Sequence, residues 1–248
     1  MTSIVVFSDL HGNTPALEAF LDALAAEQPE LVVNLGDIAS GGVDPRGTLD
    51  RLMDLPEVVT VRGNHERQLL DLPRERLGAS DLLALDLLGP ADRAWLRSLP
   101  ARVEVAPGVL AFHGAPTDDL CYLLETVEPG GLREATDDEV LQRLGDDAGR
   151  YDVYLCGHTH LQRTRRLPDG SLVVNPGSLG WPAYSDDLPF PHDVEAGTPH
   201  ARFAVLRQEP AGWQVSQRAI EYDVEAAAAT ADGNGRPDVA RALRTGRV

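Results

Sequence analysis

The sequence predicts an α/β fold in which two β-sheets pack face to face with helices outside. Three observations carry this reading. Short apolar runs alternate with helical periodicity through the first two thirds of the chain, the balance shifts toward strands beyond Pro100, and apolar runs repeatedly end in Asp, Asn, His or Gly. Alternating strands and helices mark βαβ units in a largely buried sheet, and a strand-rich second half supplies a second layer. With 248 residues, 43% of them hydrophobic, the chain can bury a sizeable core. No internal repeat or Gly/Ser linker interrupts it, so residues 1–248 read as one domain.

Taken in order, Ile4 to Phe7 is the first strand. Thr14-Pro15 then reads as an N-cap with proline at the first helical position, and Leu17, Phe20, Leu21 and Leu24 recur at helical spacing. Leu31 to Val33 and Val58 to Val61 are the next strands, with a helix around Thr48 to Leu55 between them. Helical patterns follow over His65 to Leu72, Asp81 to Leu88 and Ala91 to Leu99, the last two separated by Gly89-Pro90. Strands are expected at Val103–Val105, Val109–Phe112, Val153–Cys156, Gln162–Leu167, Ser171–Val174, Ala201–Arg207 and Trp213–Glu221, with Pro168-Asp169-Gly170 as a hairpin turn. Trp181 to Pro199 is rich in Pro and acidic residues and reads as a long irregular loop, a lid or flap. Beyond Ala226 the tail reads as a helix end, a loop and a last short helix, with no chemistry attached.

Charge narrows the function classes. All 22 basic residues are Arg, against 39 Asp and Glu, for a formal net charge of −17. Binding long nucleic acid takes a basic stripe that displaces counterions, and none is visible. The opening residues carry no basic segment and reach Asp9 after four apolar positions, unlike a signal peptide or anchor, and no apolar run approaches a membrane span. A cytoplasmic protein is expected. Cys121 and Cys156 have no C-x-x-C spacing, so both are read as reduced thiols, with Cys156 in the core.

What ends each apolar run points to chemistry. Ile4 to Phe7 leads to Ser8-Asp9-Leu10-His11, Leu31 to Leu35 to Gly36-Asp37, and Val58 to Arg62 to Gly63-Asn64-His65-Glu66. Val109 to Phe112 leads to His113-Gly114, Val153 to Cys156 to Gly157-His158-Thr159-His160, and Leu172 to Val174 to Asn175-Pro176-Gly177-Ser178. Open α/β sheets bind ligands at the carboxyl ends of their strands, so these ends point to one shared site. Asp, Asn and His without thiolate suit Mn, Fe, Co, Ni or Zn better than Ca or Mg. Two Asp, one Asn and four or five His exceed the needs of one tetrahedral ion and suit a pair bridged by a carboxylate.

A lone Asp-x-His or Gly-Asp occurs by chance in many chains, and a lone buried His is usually a satisfied core residue. In order, however, Asp9-x-His11, Gly36-Asp37, Gly63-Asn64-His65-Glu66, His113-Gly114 and Gly157-His158-x-His160 resemble the five signature motifs of the calcineurin-like metallophosphoesterase superfamily. Asn175 to Ser178 and Tyr222-Asp223-Val224-Glu225 resemble its small microbial phosphodiesterase subgroup, while Ser8 to Asn13 and Glu66 also resemble its phosphatase branch. The resemblance implies a four-layer αββα sandwich of two mixed sheets. It implies Asp9, His11 and His160 on a first metal, Asn64, His113 and His158 on a second, Asp37 bridging both, and His65 assisting the leaving group.

The activity implied is hydrolysis of small phosphodiesters or nucleotides by a hydroxide bridging two divalent transition-metal ions, with Mn favoured over Fe, Ni, Co or Zn. A phosphomonoesterase, diadenosine polyphosphate hydrolase or protein Ser/Thr phosphatase is the alternative enzyme, and a protein-binding scaffold, as in a retromer subunit of the superfamily, is the non-enzyme one. The expected partner is a small phosphate ester, with no long nucleic acid and no membrane. Arg62, Arg163, Arg165 and Arg166 are candidate phosphate contacts or structural ion pairs. His192 and His200 are read as solvated. Gly177-Ser178-Leu179-Gly180 misplaces its Ser for a nucleophile elbow.

Overall fold

The computed structural model describes residues 2–248; Met1, included in the single-domain reading, lies outside the described residues. Strands β1 (Ser3–Phe7), β2 (Leu31–Asn34) and β3 (Val58–Thr60) are joined by helices α1 (Thr14–Glu27) and α2 (Pro45–Met53). Helices α3 (Asn64–Asp71), α4 (Ala79–Leu87) and α5 (Pro90–Ser98) then lead to β4 (Arg102–Ala106) and β5 (Val109–Phe112). A hairpin of β6 (Glu125–Glu128) and β7 (Gly131–Glu134), helix α6 (Asp137–Leu144), β8 (Val153–Leu155), β9 (Gln162–Arg166) and β10 (Leu172–Pro176) follow. The chain closes with hairpin β11 (Ala183–Asp186) and β12 (His192–Glu195), the long pair β13 (Ala201–Glu209) and β14 (Gly212–Ile220), and helices α7 (Val224–Gly233) and α8 (Pro237–Thr245).

The large strands form two five-stranded mixed sheets, ordered β14-β13-β1-β2-β3 and β4-β5-β8-β10-β9. β1, β2 and β3 run parallel, as do β5, β8 and β10, while β13 pairs antiparallel with both β1 and β14, β4 antiparallel with β5, and β9 antiparallel with β10. The period of two along each strand sorts its side chains. Ile4, Val6, Val33, Val109, Ala111, Val153, Leu155, Leu172, Val174, Ala204 and Leu206 face one another between the sheets. Val5 and Phe7 turn outward onto α1, where Phe20 packs 4.5 Å from Phe7 and 5.2 Å from Phe203 between ring centroids. Leu110, Phe112, Tyr154 and Val173 turn the other way, onto Val140 and Leu144 of α6. The four-layer αββα sandwich is therefore present. Burying an aromatic such as Phe20 typically contributes ~3–5 kcal/mol against its replacement by Ala.

Differences from the sequence reading have physical causes. The 181–199 segment is not an irregular loop: β11 and β12 pair in register from Ala183↔Glu195 to Asp186↔His192, with its prolines kept at the tip and flanks. β6, β7 and α6 were not anticipated, because neither strand contains an apolar run. Thr136 and Glu139 do form a capping box at the start of α6, a signal readable as Thr-x-x-Glu. Among the described residues no helix is long and apolar enough to cross a membrane.

Candidate metal centre

All the parallel strands that feed the site end on one edge, and their loops interlock there. Asp9 N–H donates to Gly36, His11 N–H to Asp37, Gly157 N–H to His113, and Gly180 N–H to Asp9, each to the backbone carbonyl. Among the described residues six non-glycine positions hold positive φ, and five of them are Asp9, His11, Asp37, His158 and His160. The left-handed region is costly for such residues and persists where the surroundings over-determine it. Close approach explains the glycines beside them: a Cβ on Gly36 would stand 2.4 Å from the Gly63 nitrogen, and one on Gly63 would stand 2.2 Å from Asp37 Oδ1.

The sequence-predicted residues converge. Donor atoms of Asp9, His11 and His160 lie within 4.8 Å of one another, as do those of Asp37, His113 and His158. His160 Nε2 is 3.0 Å from His11 Nε2 and 3.4 Å from Asp9 Oδ1. Asp37 Oδ2 stands between the groups, 3.1 Å from His113 Nε2 and 4.0 Å from His11 Nε2. Asn64, at the start of α3, brings its side-chain oxygen to 3.0 Å from His113 Nε2.

Each imidazole is tethered by one nitrogen and presents the other. Nδ1 of His11, His113 and His160 pairs with the carbonyls of Ser40 (2.6 Å), Leu35 (2.8 Å) and Trp181 (2.6 Å), and Nε2 of His158 pairs with Leu120 (3.2 Å). This is how metal-binding histidines are oriented, through a hydrogen bond on the nitrogen away from the ion. Burial and the neighbouring His160 push His11 down to about 3, and burial and His113 do the same for His158, so both rings are neutral. Burial opposes the Asp9 carboxylate, but His160 and His113 hold it at about 2, and the same balance, led among its partners by His113, keeps Asp37 well below the usual range. Burial opposes a charge on His113, yet Asp37 and Asp9 raise it to about 10. The pocket of carboxylates thus draws positive charge to its centre.

Two further observations fit a cation. Asp9 Oδ1 is buried with no hydrogen-bond partner, which is costly unless something positive meets it. The Asn64 side-chain oxygen lies 3.0 Å from His113 Nε2, 3.0 Å from His158 Nδ1 and 3.2 Å from Asp37 Oδ2, so it converges with the other donors. The donor set therefore fits divalent metal.

Around the donors lie residues that brace or border them, of which only Glu66 has a role the sequence did not reveal. Glu66 accepts the N–H groups of Asp37 (2.9 Å), Ile38 (2.8 Å) and Gly63 (2.9 Å), fixing the Asp37 turn. It is a brace for that turn, so its identity says little about the substrate. His65 is half-buried, with Nδ1 2.7 Å from Asp81 Oδ1. Burial works against its charge, but Asp37 and Asp81 raise it to about 9. Ser178 Oγ donates to the Asp9 carbonyl and accepts from Trp181 N–H, consistent with its exclusion as a nucleophile.

Next to the donors opens a cavity of about 1210 Å³, walled by 115–126 and 181–199, and also by α4, Arg143 and α8. His192 is buried, not solvated: its Nε2 meets the Tyr122 hydroxyl at 3.1 Å, and Tyr122 meets the Tyr184 hydroxyl at 2.7 Å, which donates on to the His158 carbonyl. Arg163 and Arg165 pair with Glu125 and Asp137, Arg166 donates to the Gly170 carbonyl, and none of these or Arg62 lines this cavity. Arg236, in the tail, stacks 5.7 Å over the Trp181 ring. Arg236 and Tyr184 offered no motif, since their partners are far away in sequence.

Comparison with known proteins agrees with this geometry. The calcineurin-like phosphoesterase superfamily domain matches residues 2–190. An uncharacterized protein of Methanocaldococcus jannaschii is 25% identical over 202 residues, 72% of this chain and 76% of that protein. Solved structures of a metallophosphoesterase from Sphaerobacter thermophilus (22% identity, TM-score 0.74) and a hypothetical protein from Pyrococcus horikoshii OT3 (21%, 0.76) each share the fold over 99% of both chains. With its matched sequence, its sandwich and its ring of strand-end Asp, Asn and His, the chain belongs to the calcineurin-like phosphoesterase superfamily.

Proposed function

We propose that the protein is a dinuclear-metal phosphodiesterase acting on small diesters or nucleotides. One observation carries the reading: four imidazoles, each tied by one nitrogen to a backbone carbonyl, turn the other toward two buried carboxylates and Asn64. Asp9, His11 and His160 would hold one ion and Asn64, His113 and His158 the other, with Asp37 between them. Bound divalent ions supply Lewis acidity and lower the pKa of an attacking water.

The chain's own residues do the rest. By formal count Asp9 and Asp37 cancel half the charge of two divalent ions, leaving a local positive centre in an acidic protein, which draws a phosphate to this place. His65 donates its Nδ1 proton to Asp81 as a hydrogen bond and keeps its Nε2 proton for the departing oxygen. Asp81, 2.7 Å from that Nδ1, favours the charged form of the ring. When the P–O bond breaks, that proton goes to the leaving alkoxide, a contribution of ~10²–10⁴-fold for general acids of this kind.

The cavity supports the diester reading. Its volume of about 1210 Å³ and its Trp181, Tyr122, Tyr184, Leu120 and Leu188 lining leave room and apolar surface for a second ester substituent. The test is p-nitrophenol release from bis-p-nitrophenyl phosphate by chelator-stripped protein with Mn²⁺ restored, beside p-nitrophenyl phosphate. Metal-restored activity favouring the diester is expected. A monoester preference would place the protein with the phosphatases, and metal binding without either activity would favour the scaffold.

A further inference from the structure

The cavity extends from the metal donors to α8, which lies beyond the segment matched to the superfamily. α8 is a firm wall: Val239, Ala240, Ala242 and Leu243 are buried, Val239, Ala240 and Leu243 packing with the alanines of α7. Three arginines line the cavity, and two of them are already engaged. Arg143 donates to the carbonyls of Tyr122, Leu123 and Glu125 and to Thr126 Oγ1. Arg236 pairs with Asp238 and donates to Ser80 Oγ.

The third is Arg241. Its neighbours in the tail are paired, Arg244 with Glu225 and Asp232 and Arg247 with Glu195, and Arg241 is left with no carboxylate partner among the described residues. Asp37, Asp81, Glu125, Asp186 and Asp238 line the same cavity, and none of these side chains pairs with Arg241. Asp81 meets His65, Glu125 lies 3.2 Å from Arg163, Asp186 accepts the Leu188 N–H and Asp238 holds Arg236. In a chain of net charge −17, an exposed arginine facing a large cavity without a counter-ion is an open site for an anion. A guanidinium takes a pair of anionic oxygens through two parallel N–H bonds.

We propose that Arg241 binds a second anionic group of the substrate, so that the enzyme prefers phosphodiesters carrying a further phosphate or carboxylate. This rests on the phosphodiesterase reading only for the identity of the reacting group. The remote anion would be bound by α8 while the diester phosphorus sits at the strand ends, and the cavity between them would hold the connecting chain.

The test uses p-nitrophenyl alkyl phosphodiesters of graded chain length whose tail ends in hydroxyl, carboxylate or phosphate. At the chain length that spans the cavity, an anionic tail should raise kcat/KM by about tenfold over the hydroxyl tail. Arg241→Gln should erase that ratio, Arg241→Lys should keep part of it, and Arg97→Gln, at an exposed position on α5 outside the cavity, should leave it intact. Carboxylate and phosphate tails distinguish the two anion classes. Non-hydrolysable phosphonate versions, bound to the full chain after chelator treatment, give an independent readout in which the anionic tail should tighten binding and Arg241→Gln should abolish the difference. Equal kcat/KM and equal affinity for all tails, or an advantage that survives Arg241→Gln, would overturn the inference. Preferential binding without turnover would uphold it and remove the phosphodiesterase reading instead.

Discussion

Two regions face each other across the cavity. On one side the strand ends hold Asp9, Asp37, His11 and His160 in left-handed backbone, buried, with nearly every polar atom tied to a neighbouring turn. On the other, the β11–β12 hairpin, the 115–126 stretch and α8 leave Leu120 and Leu188 exposed, and this wall meets the donor histidines through the Leu120 and Trp181 carbonyls and the Tyr184 hydroxyl. The strand ends are fixed by backbone turns that interlock, while the opposite wall gives the cavity its shape. On the proposed function, chemistry and specificity would fall on different parts of the fold.

The separation can be broken first at the rim. Asp37→Ala removes the carboxylate between the two donor groups and should abolish measurable turnover while cutting metal uptake, read by elemental analysis of the dialysed protein. His65→Ala should behave differently, keeping its metal but losing ~10²–10⁴-fold on poor leaving groups and much less on p-nitrophenol esters. Equal loss of metal in that variant would contradict its role as acid. His65 is raised above its ordinary value to about 9, so its proton is available below that pH and lost as pH rises through it. Asp81→Asn withdraws one of the groups that raise it and should move the alkaline limb of the kcat profile to lower pH.

The brace and the wall should give smaller effects. Glu66→Gln leaves the Asp37 and Gly63 amides less well held and should weaken metal affinity by ~10–100-fold, as for other groups that orient ligands. Tyr122→Phe removes the hydroxyl between His192 and Tyr184, and should cost about 1 kcal/mol in thermal or urea unfolding with turnover changed only a few-fold. A larger catalytic loss in Tyr122→Phe than in Glu66→Gln would mean that the wall takes part in the chemistry.

The same division explains what the sequence made legible. Asp9, Asp37, Asn64 and the five histidines were readable as candidates because each closely follows an apolar run, so strand and candidate site residue are near neighbours in the chain. The sandwich was readable because strands alternate with helices in the first two thirds and strands dominate beyond Pro100; which side chains of β5, β8 and β10 face which layer was not, since Val109–Phe112, Val153–Leu155 and Leu172–Val174 are apolar throughout. The wall was not, because its contacts join distant segments: Tyr122 with Tyr184 and His192, and Arg236 with Trp181 and Ser80. The β11–β12 hairpin was hidden by prolines that mark its tip but resemble those of a loop. Only α6 carried a local sign, its Thr136–Glu139 box.

Metal stoichiometry tests the central claim most directly. Chelator-stripped protein titrated with Mn²⁺ and freed of excess metal should retain two ions per chain, falling toward one in His160→Ala, with phosphodiester hydrolysis returning as the sites fill. Retention of no ion, or a count unaffected by changes at Asp37 and His160, would contradict the assignment of these strand ends as a dinuclear centre.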